Sequence, residues 1–340
     1  MLRLGAQFKL NLNIIISLML ILSVLPKLVT RIGAVEVVTS RNLNKIMCDA
    51  GEQSISQRAS RLAPPLTQDK HKGQAGRIGV FGGSLEYTGA PYFSSISALK
   101  IGADLAYVFS KKEAAPVIKS YSPELIVLPL LDGNIEAIEE WLPRLHVVLI
   151  GPGMGRMNST FTLIEQVIQE CRNRKKPLVI DADGLFLISL KPELLKDYPA
   201  PLVLTPNVME FCKLTGEPCD SNSDKLERSK DILKLFGPNA LILCKGHDDE
   251  ILANGKVTKV VGGGSARRCG GQGDLLGGAL STFLHWALLK GEEPAVACFA
   301  AATLTRKCNE RAFAKYGRSM TTTNMIAEIH SVFDEYFELK

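Results

Sequence analysis

An open α/β sheet, doubly wound and mostly parallel with helices on both faces, is the fold class that this sequence predicts. Three observations carry the prediction. Seven short apolar runs are continuous rather than alternating, as strands buried on both faces require. Stretches with helical spacing separate them, giving the β-α alternation of a doubly wound sheet. Loops rich in glycine, aspartate and lysine follow the ends of the runs, where open α/β sheets bind their ligands.

In order, the predicted strands are Ile78–Phe81, Leu105–Val108, Leu125–Leu128, Val147–Ile150, Leu178–Asp181, Leu202–Leu204 and Ala240–Cys244. The predicted helices are Pro91–Ile101, Ile135–Leu142, Thr160–Arg174, Gly184–Leu190, Asn207–Leu214 and Asp224–Phe236. Ile251 to Val261 carries Asn254-Gly255 at its centre and reads as a hairpin with a tight turn. Three helical stretches close the chain: Asp274–Leu289, Pro294–Tyr316 and Thr323–Phe337.

The first 70 residues differ from this pattern. Ile14 to Leu25 is apolar but for two serines, and shorter than the roughly twenty residues of a membrane span. Arg3 and Lys9 precede it, Lys27 and Arg31 follow, and no acid stands before Glu36. Residues 1–45 therefore read as a hydrophobic targeting or anchor segment. The mitochondrion or the cytoplasm is the expected location, with the endoplasmic reticulum as the other destination such a run can specify. Membrane contact is expected only through residues 10–29. Residues 46–70, with Ala63-Pro64-Pro65, read as a linker, and residues 71–340 as one domain.

Composition excludes several classes. The 340 residues are 46% hydrophobic, enough for a sizeable core. The net charge of +5 is spread along the chain, and its densest cluster, Arg172 to Lys176, closes a predicted helix, so a nucleic-acid partner is not expected. The eight cysteines contain no CxxC pair and read as buried free thiols of a reduced compartment. The five histidines do not cluster, so no zinc site is indicated. A homo-oligomer is compatible with the sequence.

The strongest chemical signal is Arg267-Arg268-Cys269-Gly270-Gly271-Gln272-Gly273-Asp274, followed at once by a helical apolar pattern. Glycines let backbone N–H groups converge, and a helix N-terminus adds unpaired donors and partial positive charge. The result suits phosphate. Asp274 stands where a base must stand to take a proton from a hydroxyl attacking a phosphoryl group.

Other loops carry weaker signals. Gly82-Gly83-Ser84 and Gly151-Pro152-Gly153-Met154-Gly155-Arg156 allow close approach of a ligand or form structural turns. In Asp181-Ala182-Asp183-Gly184 an aspartate could serve a phosphate through water or Mg2+, although a helix N-cap suits it slightly better. Asn207 and Glu210 suit a ligand or a capping box. Lys245-Gly246-His247-Asp248-Asp249 can reach phosphates or be a charged turn. No P-loop, G-x-S-x-G or H-E-x-x-H motif occurs, and Gly79-x-x-Gly82-Gly83 does not match the dinucleotide fingerprint.

Taken together, these strings resemble the ATP-dependent (S)-NAD(P)H-hydrate dehydratases of ribokinase-like fold. The matching segments also include His71-Lys72-Gly73-Gln74, Gly76-Arg77-Ile78-Gly79, Glu86-Tyr87-Thr88-Gly89-Ala90-Pro91-Tyr92-Phe93, Tyr121-Ser122-Pro123-Glu124 and Leu204-Thr205-Pro206-Asn207. The resemblance runs from about residue 62 to the C-terminus and implies ATP and hydrated NADH or NADPH as small-molecule substrates. It implies ATP contacts from Lys245, Gly246, His247, Asp248 and Asp249, and from Gly264, Ser265, Ala266, Arg267, Arg268, Cys269, Gly270, Gly271, Gln272 and Gly273. It implies contacts to the hydrated dinucleotide from Gly155 and from Asn207, Val208, Met209, Glu210, Phe211, Cys212 and Lys213, with Asp274 catalytic at the junction. Mg2+ is expected with ATP, with ligands unassigned.

One position departs from the family pattern: Gly277 stands where a serine is expected. With Gly278 it costs up to about 2 kcal/mol of helix propensity, which predicts a loosened first turn. Two other functions fit parts of the same pattern. A ribokinase-like kinase phosphorylating a small alcohol or vitamin would use the same cradle and base. A membrane-anchored binding protein that had lost catalysis would keep the loops, but not need the intact Asp274.

Overall fold

The computed structural model describes residues 54–69, 71–219 and 224–338. Among them nine strands form one sheet in the order β3-β2-β1-β4-β5-β6-β7-β8-β9. They are β1 (Arg77–Phe81), β2 (Leu105–Phe109), β3 (Ile126–Leu128), β4 (Val147–Ile150), β5 (Leu178–Ile180), β6 (Leu202–Leu204), β7 (Ala240–Cys244), β8 (Asp249–Ala253) and β9 (Lys256–Val260). The first seven run parallel, and β8 and β9 form an antiparallel hairpin turning at Asn254 and Gly255, both at positive φ. Strand order reverses between β1 and β4, the switch point at which doubly wound sheets open a crevice.

The helices are α1 (Ile55–Ala59), α2 (Gly89–Ile101), α3 (Ala115–Tyr121), α4 (Ile135–Glu139), α5 (Asn158–Asn173), α6 (Ala182–Leu190), α7 (Val208–Thr215), α8 (Lys225–Phe236), α9 (Gln272–Leu289), α10 (Pro294–Tyr316), α11 (Thr322–Ala327) and α12 (Ile329–Tyr336). They cover both faces. Because side chains alternate along a strand, Val147 and Leu149 join the core shared with α9 and α10, whereas Val148 and Ile150 join the core shared with α5. Each fully buried aliphatic side chain contributes about 1.5–3 kcal/mol. Helix α9 is buried from Leu275 to Ala287, so its N-terminus is held rigidly against the strand ends.

Several expectations need correction. Part of the expected linker is folded: α1 carries a capping box at Ser54, Leu62 is buried in the core, and Arg58 pairs with Glu292 at 2.6 Å. Burial of Ala59 and Leu62 explains why these residues do not behave as a linker. The glycine pair does not loosen α9. Both glycines are buried within an unbroken helix, and a Cβ at Gly278 would lie 2.0 Å from the Ser94 carbonyl oxygen, so α2 and α9 need that glycine in order to approach. Cys212 and Cys219 form a disulfide, their Cα atoms 5.4 Å apart, whereas Cys171, Cys244, Cys269, Cys298 and Cys308 are free. The Arg172–Lys176 cluster does more than meet solvent: Arg172 donates to the Leu194 carbonyl at 2.9 Å and Lys176 to that of Leu145 at 2.6 Å. Helix α3 lies where no helix was predicted, and the last expected helix is two, parted at the buried Glu328. Among the described residues no helix is long and apolar enough to cross a membrane. The hydrophobic run at 14–25 and Cys48 lie outside the described residues.

Candidate active site

A cavity of about 1100 Å³ opens at the carboxyl ends of β5, β6 and β7, between the N-terminus of α9 and the side of α10. Its floor is a cluster of charges. Lys245 follows β7 and its Nζ donates to Asp181 Oδ1 at 2.7 Å, with Glu210 Oε2 at 3.7 Å. Asp181 is at the N-cap position of α6 by backbone but does not cap it; its side chain turns to the lysine instead. The slightly better-suited N-cap reading therefore fails for this residue, because a buried carboxylate beside an ammonium gains more from the ion pair. Asn207 and Glu210 do form a capping box, Glu210 N–H donating to Asn207 Oδ1 at 2.9 Å and Asn207 N–H to Glu210 Oε2 at 2.8 Å.

Asp274 stands in the first turn of α9 and lines the same cavity. Burial, then the negative charge of Asp181, push its carboxyl up to about 7; Lys245 pulls it down and Glu210 adds to the rise. A group poised there exchanges a proton near neutrality, as a general base should. Burial lowers the Lys245 ammonium, but Asp181, Glu210 and Asp274 outweigh it and the net shift is upward, so the lysine stays charged. Burial also raises Glu210, against the opposing pull of Lys245.

The glycine loop that leads into α9 is shaped by close approach. Gly271 caps the helix at φ 93°, and a Cβ there would come within 2.7 Å of the Phe93 ring. Thr322 Oγ1 donates to the Gly270 carbonyl at 2.7 Å, and Gln272 Nε2 to that of Arg267 at 3.2 Å. The N–H groups of the first helical turn are thereby presented to the cavity.

Most of the predicted ATP residues line this cavity, namely Lys245 to Asp249, Gly264, Ser265, Ala266, Arg268, Cys269, Gln272 and Gly273. Arg267, Gly270 and Gly271 do not. On the substrate side Asn207, Val208, Met209 and Asp274 line it, and Glu210 reaches it through Lys245. Phe211 and Cys212 are turned into the interior by the helical period of α7, Phe211 beneath Arg228 and Cys212 in the disulfide. Lys213 lies 6.0 Å from the Phe186 ring. Gly155 sits at the switch point, where its N–H donates to Asp183 Oδ2 at 3.0 Å and Arg156 donates to Asp183 Oδ1 at 2.8 Å.

Sequence reasoning missed Arg306 and Asn309, both on α10. Arg306 ties the lysine loop to the glycine loop, donating to the carbonyls of Gly262 (2.7 Å), His247 (2.8 Å) and Gly263 (3.2 Å) and to Asp249 (3.4 Å). Asn309 lines the cavity and donates to Gln272 Oε1 at 3.1 Å. Nothing local marks these two residues. Their spacing of three, one helical face, becomes meaningful only once α10 is seen beside the loop.

Comparison with known proteins gives a consistent result. A family model described as NAD(P)H-hydrate dehydratase matches residues 78–331. The ATP-dependent (S)-NAD(P)H-hydrate dehydratase of Aedes aegypti is 54% identical over 291 residues, covering 84% of this chain and 85% of that protein. The protein of the same name from Homo sapiens is 48% identical over 289 residues, covering 82% and 83%. Among solved structures, the ADP/ATP-dependent NAD(P)H-hydrate dehydratase of Bacillus subtilis co-crystallized with ATP/Mg2+ superposes with a TM-score of 0.66 at 20% identity, over 83% of this chain and 97% of that one. Arabidopsis thaliana ribokinase complexed with ribose and ATP gives 0.54 at 14% identity, over 76% and 98%. At these identities the structural likeness speaks to fold, which is ribokinase-like.

Proposed function

The chain belongs to the NAD(P)H-hydrate dehydratase family, and from that premise we propose how its residues act. The activity is ATP-dependent dehydration of the S epimer of hydrated NADH or NADPH, a carbon–oxygen lyase reaction that releases ADP and phosphate and returns the reduced cofactor. Hydroxide is a poor leaving group and phosphate a good one, so phosphorylating the added hydroxyl makes its departure easy. Asp274 takes the hydroxyl proton as the oxygen attacks the γ-phosphoryl group. The N–H groups at the start of α9, that of Gly273 among them, stabilise the charge developing on the transferred group. The ring nitrogen then expels phosphate, and loss of a proton from the neighbouring ring carbon restores the dihydropyridine.

Lys245, held in place by Asp181 and Glu210, supplies positive charge beside the phosphates. Among the described residues no three His, Cys, Asp or Glu side chains converge in a way that could hold a metal ion. Mg2+ therefore fits best as a cation carried on the oxygens of ATP and water, where it would neutralise phosphate charge. The observation that supports this reading most directly is the convergence of Asp274, raised to about 7, with Lys245 and a helix N-terminus in one cavity. Residues 1–45 are assigned the role of setting location, which imaging of tagged protein with and without them tests.

The deciding assay supplies ATP and hydrated NADH and follows ADP together with dihydropyridine absorbance. Both rise in step if the reading holds. A stable phosphorylated product with no recovered absorbance would mean a kinase.

A further inference from the structure

We propose that Lys111, with Ser84 on the adjoining loop, forms a phosphate-recognition subsite for the hydrated dinucleotide, covered by the movable side chain of Met157. The inference rests on the dehydratase reading above and adds to it how the distal part of the substrate is held.

Lys111 lies just past the end of β2, where its N–H donates to the Gly83 carbonyl at 3.1 Å. It is only 3% exposed, unusual for a lysine without a partner acid. No Asp or Glu among the described residues pairs with it. The contact its Nζ makes is to the Met157 sulfur at 2.9 Å, and a thioether is a weak acceptor. Ser84, in the loop that follows β1, is also 3% exposed, and its Oγ has no hydrogen-bond partner. A Cβ on Gly155 would lie 3.4 Å from Ser84 Cβ, so the β1 and β4 loops touch here, two residues before Met157. An ammonium and a hydroxyl at adjacent strand ends, both short of acceptors, match a phosphate group. Met157 is 59% exposed and unbranched, so it can swing away and uncover the charge.

Position selects which substrate this serves. The cavity with Lys245 spans the ends of β5, β6 and β7 and includes Asp181 and Asp274 in its lining; β2 lies to its other side, beyond β4 and β1. From β5, which carries Asp181, to β2 is three strand spacings, roughly 14 Å. A hydrated ring at Asp274 with ATP on the β7 side must extend its own phosphates toward β2. The phosphate could be the bridging diphosphate, present in both hydrates, or the 2′-phosphate of the NADPH form.

The test measures KM for both hydrates in wild type and in Lys111→Met. The expected result is a rise of about tenfold in KM for hydrate, larger in KM than in kcat, with KM for ATP unmoved. A rise for NADPH hydrate alone identifies the 2′-phosphate, and an equal rise for both identifies the diphosphate. Unchanged KM for both overturns the proposal. Should Lys111→Met fail to fold, the surface variant Met157→Glu places a competing carboxylate on the ammonium and must raise the same KM; no rise overturns the proposal equally. If wild type turns over neither hydrate, the dehydratase reading fails instead.

Discussion

The two halves of the strand-end surface are built on different principles. From β5 to β7 the site is made of charge: Asp181, Glu210, Lys245 and Asp274 around an open cavity, with Arg306 tying its loops together by side-chain bonds. At the β1–β4 switch point it is made of backbone in contact with backbone. A Cβ at Gly151 would lie 1.8 Å from the Asp181 carbonyl oxygen, and one at Gly82 would lie 2.0 Å from that of Pro152. The first region is held by side chains and the second by backbone; the second cannot be altered without moving the first, because the Gly151 loop rests on Asp181 itself.

The largest break in this comparison is Asp274→Asn. Loss of a positioned general base typically costs 10²–10⁴-fold, so turnover should fall by about that factor while ATP still binds. Stability should move the other way. Asp274 holds its proton to about 7 in the folded chain, against an ordinary value of 3.8. The folded state thus binds the extra proton between those values, and stability falls as pH rises through that window. Asp274→Asn should therefore melt higher than wild type at pH 8, with the gap closing toward pH 4. Equal melting at pH 8 would mean that the carboxylate is not buried at a cost.

Gly151→Ala tests the other region. Its φ of 125° and the collision together predict a loss of about 3 kcal/mol, or roughly 6–12 °C in Tm. Gly262→Ala, at φ 80° but with open space around it, should cost about 1 kcal/mol from backbone strain alone. Similar losses for the two would remove the distinction between a packed and an open loop.

Legibility in the sequence followed the same division. The sheet was readable because each strand is a continuous apolar run buried on both faces, and Lys245 and Asp274 because they sit beside glycines at element ends. The pairing of Asp181 with Lys245 spans 64 positions, and the clamp from Arg306 to Asp249 spans 57, so neither leaves a local pattern. Phe211 and Cys212 show the opposite failure. They belong to a string that resembles a binding segment, yet the turn of α7 directs them inward. A linear motif names a segment, but the helical period decides which of its residues face the cavity.

Arg306→Ala should raise KM for ATP by about tenfold, since it frees the lysine loop from the glycine loop and leaves carbonyls of both without their donor. Arg306→Lys should recover only part of this, because one ammonium cannot reproduce a planar fork that serves four acceptors. Full recovery would show that charge alone, and not the bridge, is what the cavity needs.

The smallest effect is the most discriminating. Asp181 raises Asp274 and Lys245 lowers it. Activity that depends on the Asp274 carboxylate falls as pH drops through its pKa. Asp181→Asn removes a negative neighbour, so the acid limb of kcat/KM should move to lower pH by about one unit. Lys245→Met removes the positive neighbour and should move the same limb to higher pH. Substitutions that merely loosened the site would lower rates without shifting the two limbs in opposite directions, so parallel shifts, or none, would separate Asp181 and Lys245 from the tuning of the base.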